Sequence, residues 1–256
     1  MKSTPVGQRF IISSLPRCGS TTLTRLLNEH PNIRCLIEPF HPARYGARPN
    51  RLAQLYSMQS ALDAIWTRWN GIKHVWEPNG WPFVANPTLN DDMFRQDVRV
   101  LMLIRRNLLR RYISNHICRA SQYWIGTRRE FHSRCKNLQL KPLSCEVVSS
   151  HLRRDADEVA RRRRMLSSIG AQHCVLAYED LFGTELNERQ QLSIINSLLE
   201  FLGFVRLGAQ DVSHSWREHF DPGINKWSSE VIYRLIPNID EIEARCGNAE
   251  TGWLFR

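Results

Sequence analysis

The stretch Arg9-Phe-Ile-Ile-Ser-Ser-Leu-Pro-Arg-Cys-Gly-Ser-Thr-Thr-Leu23 constrains the fold more than any other part of the chain. Phe10, Ile11 and Ile12 form a short apolar run of β-branched and aromatic residues, the signature of a buried strand. Pro16, Gly19 and the hydroxyls of Ser20, Thr21 and Thr22 interrupt it, and Leu23, Leu26 and Leu27 then recur at the spacing of one helical face. The order is strand, tight polar turn, helix. Such a turn aims backbone N–H groups and the positive end of the helix dipole at one point, which suits an anion. Gly19 lets the backbone approach closely, Arg17 adds a fixed charge, and the hydroxyls add donors. Taken alone, the same turn also reads as an ordinary strand-to-helix connection with a good N-cap. It is not a standard ATP or GTP loop. In the window Ser14–Thr21, Ser14 stands where G-x-x-x-x-G-K-[ST] needs its first Gly, and Ser20 where it needs Lys.

Further short apolar runs follow. Cys35-Leu-Ile37 ends at Glu38-Pro-Phe-His41, where Pro39 and Pro42 stop regular structure. Gly71–Trp76 is a strand candidate ending at Glu77. Val98–Ile104 is the clearest buried strand and stops at Arg105-Arg106, while Cys174–Tyr178 ends at Glu179-Asp180. Helical patterns lie between them, over Leu52–Trp69, from Leu108 onward, over about 146–169, and over Leu192–Leu202 with closure at Gly203. Strands alternating with helices predict an α/β fold, a three-layer arrangement with a mostly parallel central sheet flanked by helices. The carboxyl ends of parallel strands share one edge, so Arg17, Glu38, Arg106 and Tyr178 are expected to converge on one crevice.

Several residues at that edge carry chemistry. Glu38 is placed to act as a general base, with His41 as its rival and a structural ion pair with an arginine as the plain alternative. Two arginines at one strand end call for an anion or carboxylates, and the helix start beside them favours the anion; taken alone, the pair also reads as a solvated strand end. Ser114 lies eight residues past Arg106, about two turns into the helix. Trp81, Pro82 and Phe83 form an aromatic loop fit for ring stacking. Residues 119–142 read as basic and irregular, with Tyr123, Trp124 and Phe131 among the arginines, as in a lid or a nucleic-acid surface. Arg153, Arg154 and Arg161–Arg164 read as a solvated helix face with the pairs Asp157–Arg161 and Glu158–Arg162.

The 256 residues are read as a single domain, 1–256, large enough to bury a sizeable core. A net charge of +10 favours anionic partners. No apolar run approaches the ~18 residues of a membrane span, and the N-terminus shows no apolar signal core. A cytoplasmic protein without a transmembrane segment is the expectation. The seven cysteines form no C-x-x-C pair and no zinc spacing, so free thiols are expected.

Leu-Pro-Arg-Cys-Gly-Ser-Thr-Thr-Leu (15–23), Leu-Leu-Asn-Glu-His-Pro (26–31) and Glu-Pro-Phe (38–40) together resemble the 5′-phosphosulfate loop region of sulfotransferases. These enzymes use 3′-phosphoadenosine 5′-phosphosulfate (PAPS). Arg17 makes the variant closer to carbohydrate and bacterial members than to cytosolic ones, which usually carry Lys there. Cys18 departs from the usual Ser. Arg106 with Ser114 resembles the family's 3′-phosphate motif, and the Gly71-x-Lys73 strand and Tyr178-Glu-Asp-Leu181 followed by Phe201-Leu-Gly203 are similar as well. His219–Trp227 loosely resembles the loop that folds across the nucleotide.

The resemblance implies a P-loop NTPase-like sulfotransferase fold and in-line transfer of a sulfuryl group from PAPS, leaving PAP, to a hydroxyl of a carbohydrate or small natural-product acceptor. It implies no metal. Arg17, Cys18, Gly19, Ser20, Thr21 and Thr22 would hold the phosphosulfate, with Arg17 also stabilising the departing PAP. Glu38 would take the acceptor's proton, with His41 as the alternative. Arg106 and Ser114 would grip the 3′-phosphate. Tyr178 would lie near the adenine, and Gly223, Lys226 and Trp227 would cover the nucleotide. Lys73, His74 and Trp81 are candidate contacts to sulfate or acceptor, with a core His and a surface Lys as the plainer alternative. Two rivals remain: a P-loop kinase or NTPase-like phosphotransferase, and a basic nucleic-acid-binding module.

Overall fold

Each predicted apolar run is a strand, because each is short, β-branched and bounded by residues that end regular pairing. A computed structural model describes residues 8–40, 58–76, 94, 97–124, 128–183, 185–221 and 230–255, with residues 58–60 described as backbone only. The strands are β1 (Phe10–Ser14), β2 (Cys35–Ile37), β3 (Gly71–Val75), β4 (Arg99–Ile104) and β5 (His173–Ala177). They form one five-stranded sheet in the order β2-β3-β1-β4-β5, and every pairing is parallel. β1 lies at the centre, and all five of its residues are buried, as expected for a strand covered on both faces. The chain goes from β1 to one side of the sheet and later crosses to the other. The ends of β1 and its neighbours are therefore the switch point where open α/β sheets place ligands.

The helices are α1 (Ser20–Leu27), α2 (Met58–Trp66), α3 (Leu108–Ser121), α4 (Arg128–Cys135), α5 (Cys145–Ser168), α6 (Tyr178–Phe182), α7 (Glu188–Leu202), α8 (His214–Glu218), α9 (Glu230–Tyr233) and α10 (Ile239–Cys246). The two-residue period of the strands sorts them into layers. Phe10, Ile12, Leu101 and Leu103 point to one face and pack with Leu23, Leu26 and Leu27 of α1 and Ile195, Leu199 and Leu202 of α7. Ile11, Ile72, Val100 and Met102 point to the other face and pack with Leu62, Ile65 and Trp66 of α2 and Leu166 of α5. A third cluster joins α3, α4, α9, α10 and the start of α5 through Ile113, Phe131, Val148, Leu152, Ile232 and Ile242. Gly71 is required in β3 because a Cβ there would sit 2.3 Å from the Phe10 ring. Among the described residues, no helix is long and apolar enough to cross a membrane.

Three sequence expectations need correction. Residues 119–142 are not irregular throughout: α3 runs to Ser121, and α4 (Arg128–Cys135) buries Phe131 and Cys135 one turn apart, while 136–142 lie outside any helix or strand. Tyr123 and Phe131 pack in the helical core, so they do not line a lid. Tyr178 opens α6 rather than ending β5, which stops at Ala177. The arginine face of α5 is solvated at Arg153, Arg154, Arg161, Arg163 and Arg164, but Arg162 is buried and lies 3.3 Å over the Trp76 ring. All seven cysteines are free thiols.

Candidate functional site

The site grows from the turn after β1. Arg17 has φ 65° and Gly19 φ 84°, both left-handed. For Arg17 that conformation costs roughly 1–2 kcal/mol, so the surroundings must hold it. Gly19 has no such cost, and no other residue fits: a Cβ would stand 2.6 Å from the Tyr178 ring. Gly19 is also the N-cap of α1, and no side chain caps that helix, so its first turn presents N–H groups at the end of β1. Pro16 and Arg17 are anchored from the β4–α3 segment. Arg111 Nη1 donates to the Pro16 carbonyl at 3.3 Å and Arg105 Nη1 to the Arg17 carbonyl at 3.1 Å. The Arg17 Nε donates to Ser114 Oγ at 3.0 Å.

On the β3 side a second cluster forms. Glu38, at the end of β2, has φ 48°, and its N–H donates to the Lys73 carbonyl at 2.8 Å. The Lys73 ammonium bonds the Glu38 carboxylate and the Thr21 hydroxyl, the latter at 3.1 Å. Lys73 is almost fully buried and Glu38 nearly so, with side chains 4% and 16% exposed. Thr21 of α1, Lys73 of β3 and Glu38 after β2 thus meet beside the loop. His74 is buried in β3, 1% exposed.

On the β4 side the arginines divide. Arg106 faces outward: its side chain is 57% exposed and pairs with Asp180, whose hydrogen bond raises the guanidinium pKa. Its backbone N–H and that of Asn107 donate to the two carboxylate oxygens of Glu179, each at 3.0 Å. Arg106 makes no hydrogen bond to Ser114. Ser114 is 2% exposed and instead receives Arg17. Arg105 faces inward, 4.8 Å over the Tyr178 ring. No carboxylate pairs with Arg105 among the described residues. Arg111 is buried with Asp155 in a charge pair whose side chains are 3% and 2% exposed.

Burial pushes the Cys18 thiol up to about 11, against the opposing pull of Arg111 and Arg105, so it is a neutral group under the loop. Burial likewise raises the Tyr178 phenol. Cys18 supplies the loop's packing, not a hydroxyl donor.

The structure therefore brings together Arg17, Cys18, Gly19, Ser20, Thr21, Thr22, Glu38, Lys73, Ser114 and Tyr178 at one sheet edge, with Arg106 at its outer side. His41, Trp81, Gly223, Lys226 and Trp227 lie outside the described residues. Among the described residues, no group of three or more His, Cys, Asp or Glu side chains is arranged to hold a metal. Sequence reasoning missed Arg111, Asp155 and the inward role of Arg105. A signal for Asp155 existed. It falls on the same helical stripe as Val148, Leu152 and Leu166, where a charge is buried and must find a partner. No family model matches the chain, and no curated protein matches it significantly.

Proposed function

We propose that the chain is a PAPS-dependent sulfotransferase acting on a hydroxyl of a carbohydrate or small natural product. The observation that carries the reading is the 3.0 Å bond from Arg17 to Ser114, which ties the two resembling motifs together at the switch point of a parallel sheet. The strand order and the uncapped α1 beside β1 support the P-loop NTPase-like form of the fold.

In this reading the amides of α1's first turn and Arg17 hold the phosphosulfate. The acceptor oxygen attacks sulfur in line, the bond from sulfur to the phosphate oxygen breaks, and PAP leaves with the electron pair. Glu38 takes the acceptor's proton, while Lys73, between Glu38 and Thr21, fixes the carboxylate against the loop. Arg106 exchanges Asp180 for the 3′-phosphate. An exposed pair such as Arg106–Asp180 is worth only about 0–1 kcal/mol, so the exchange costs little. Ser114 is buried and serves by holding Arg17. Tyr178, packed on Gly19, borders the nucleotide.

The test is incubation with PAPS and a mixture of glycan and hydroxylated natural-product acceptors. PAP and acceptors heavier by one sulfuryl group should appear, and turnover should fall by about 10²–10⁴-fold in Glu38→Gln. Consumption of ATP instead would move the phosphotransferase reading forward.

A further inference from the structure

Two consecutive carbonyls of the loop are held by two guanidinium groups from a single segment. Arg111 Nη1 donates to the Pro16 oxygen and Arg105 Nη1 to the Arg17 oxygen, at 3.3 and 3.1 Å. Each guanidinium is itself fixed from a different part of the fold. Asp155 of α5 pairs with Arg111 in the interior, and the Tyr178 ring of α6 lies against Arg105 at 4.8 Å. A trans peptide points its C=O and N–H to opposite sides. Neither residue after these carbonyls is proline, so both peptides take the trans form. Drawing the Pro16 and Arg17 oxygens toward Arg111 and Arg105 therefore turns the N–H groups of Arg17 and Cys18 to the opposite side of their peptide planes.

We propose that Arg105 and Arg111 are positioning residues that brace the loop and aim its amides at an anionic group. The brace also explains how Arg17 keeps a left-handed backbone at φ 65°. Its link to the donor's 5′-phosphosulfate rests on the sulfotransferase reading; the brace itself requires only an anion at the loop. Arg105 acts through the Arg17 carbonyl, and Arg111 through the Pro16 carbonyl, so neither needs to touch the ligand.

The experiment compares wild type, Arg105→Gln, Arg105→Lys and the paired replacement Arg111→Met/Asp155→Leu, which removes the buried charges together so that neither is stranded. Calorimetry uses PAP and adenosine 3′-phosphate, which lacks the 5′ group. Amide spectra follow addition of pyrophosphate. PAP binding should weaken by about tenfold or more in Arg105→Gln and in the paired variant, with partial recovery in Arg105→Lys. Adenosine 3′-phosphate should change by less than about twofold, a pattern that general loss of stability does not produce. Pyrophosphate should shift the Cys18 and Gly19 amides in wild type and shift them much less in Arg105→Gln. Equal weakening of both nucleotides, or equal amide responses in all variants, would overturn the brace. If wild type binds neither nucleotide but pyrophosphate behaves as described, the sulfotransferase reading falls and the brace stands. If pyrophosphate leaves the wild-type amides unmoved, the brace falls too.

Discussion

Two strand–turn–helix segments meet at the crevice, and they are built in opposite ways. The β1–α1 turn is marked by its own residues, Pro16, Gly19 and three hydroxyl residues, and only its Arg17 conformation is held from outside, by Arg105 and Arg111. The β4–α3 segment carries Arg105, Arg106, Arg110 and Arg111, and its local sequence does not say which of them turns inward. Distant partners decide. Arg111 goes to Asp155 of α5, Arg106 to Asp180 of α6, Arg110 to the Leu254 carbonyl, and Arg105 to the loop and Tyr178. A glycine turn can be read from a sequence because its conformational requirement is local. A guanidinium's direction is set by which carboxylates and carbonyls lie within its long reach, and these come from other elements.

The comparison breaks hardest at the inward pair. Arg111→Met strands Asp155 in the interior and should cost about 3–5 kcal/mol, read as a fall in the denaturant midpoint. A loss below about 1 kcal/mol would mean that Arg111 and Asp155 do not form the buried charge pair described. Next is the alkaline limb of stability. The folded Cys18 thiol is raised to about 11 from 9.0, so between those values the unfolded chain loses its proton while the folded one keeps it. Cys18 then contributes a fall in stability of about 2 kcal/mol by the top of that window, Cys135, Cys174 and the other raised thiols add falls of their own, and Cys18→Ala should remove its share while leaving the rest. Gly19→Ala tests the locally specified turn. The left-handed φ and the 2.6 Å approach to Tyr178 predict a loss of about 1–3 kcal/mol together with loss of anion binding. Smallest is Arg106→Ala. Its partner is exposed, and unfolding should move by no more than about 0.5 kcal/mol. The contrast between Arg111 and Arg106 on one helix start is the sharpest form of the comparison.

The same distinction explains what was legible. The five strands are visible because each apolar run is cut off by charge, proline or glycine, as Val98–Ile104 is by Arg105-Arg106. Their alternation with helices leads directly to the parallel sheet and to the shared edge. α4 is hidden because only Phe131 and Cys135 of its eight residues are buried, too few to show a period among the charges. The buried side of α5 is masked by composition: Asp155, Glu158 and Arg162 look like surface residues but lie on the inward stripe. At the site, the pairing of Glu38 with Lys73 joins residues 35 positions apart, so nothing in the local sequence shows it. The Arg106–Ser114 spacing is legible, but the structure gives Ser114 to Arg17 and leaves Arg106 at the rim.

The most direct measurement is a calorimetric titration of wild type and Arg106→Ala with PAP and ADP. The account predicts that wild type binds PAP at micromolar concentration or tighter, at least about tenfold better than ADP, and that the gap closes in Arg106→Ala while its fold is unchanged. Equal affinity of wild type for PAP and ADP would contradict it. The crevice would then hold an anion without reading a 3′-phosphate, and the sulfotransferase assignment would fall.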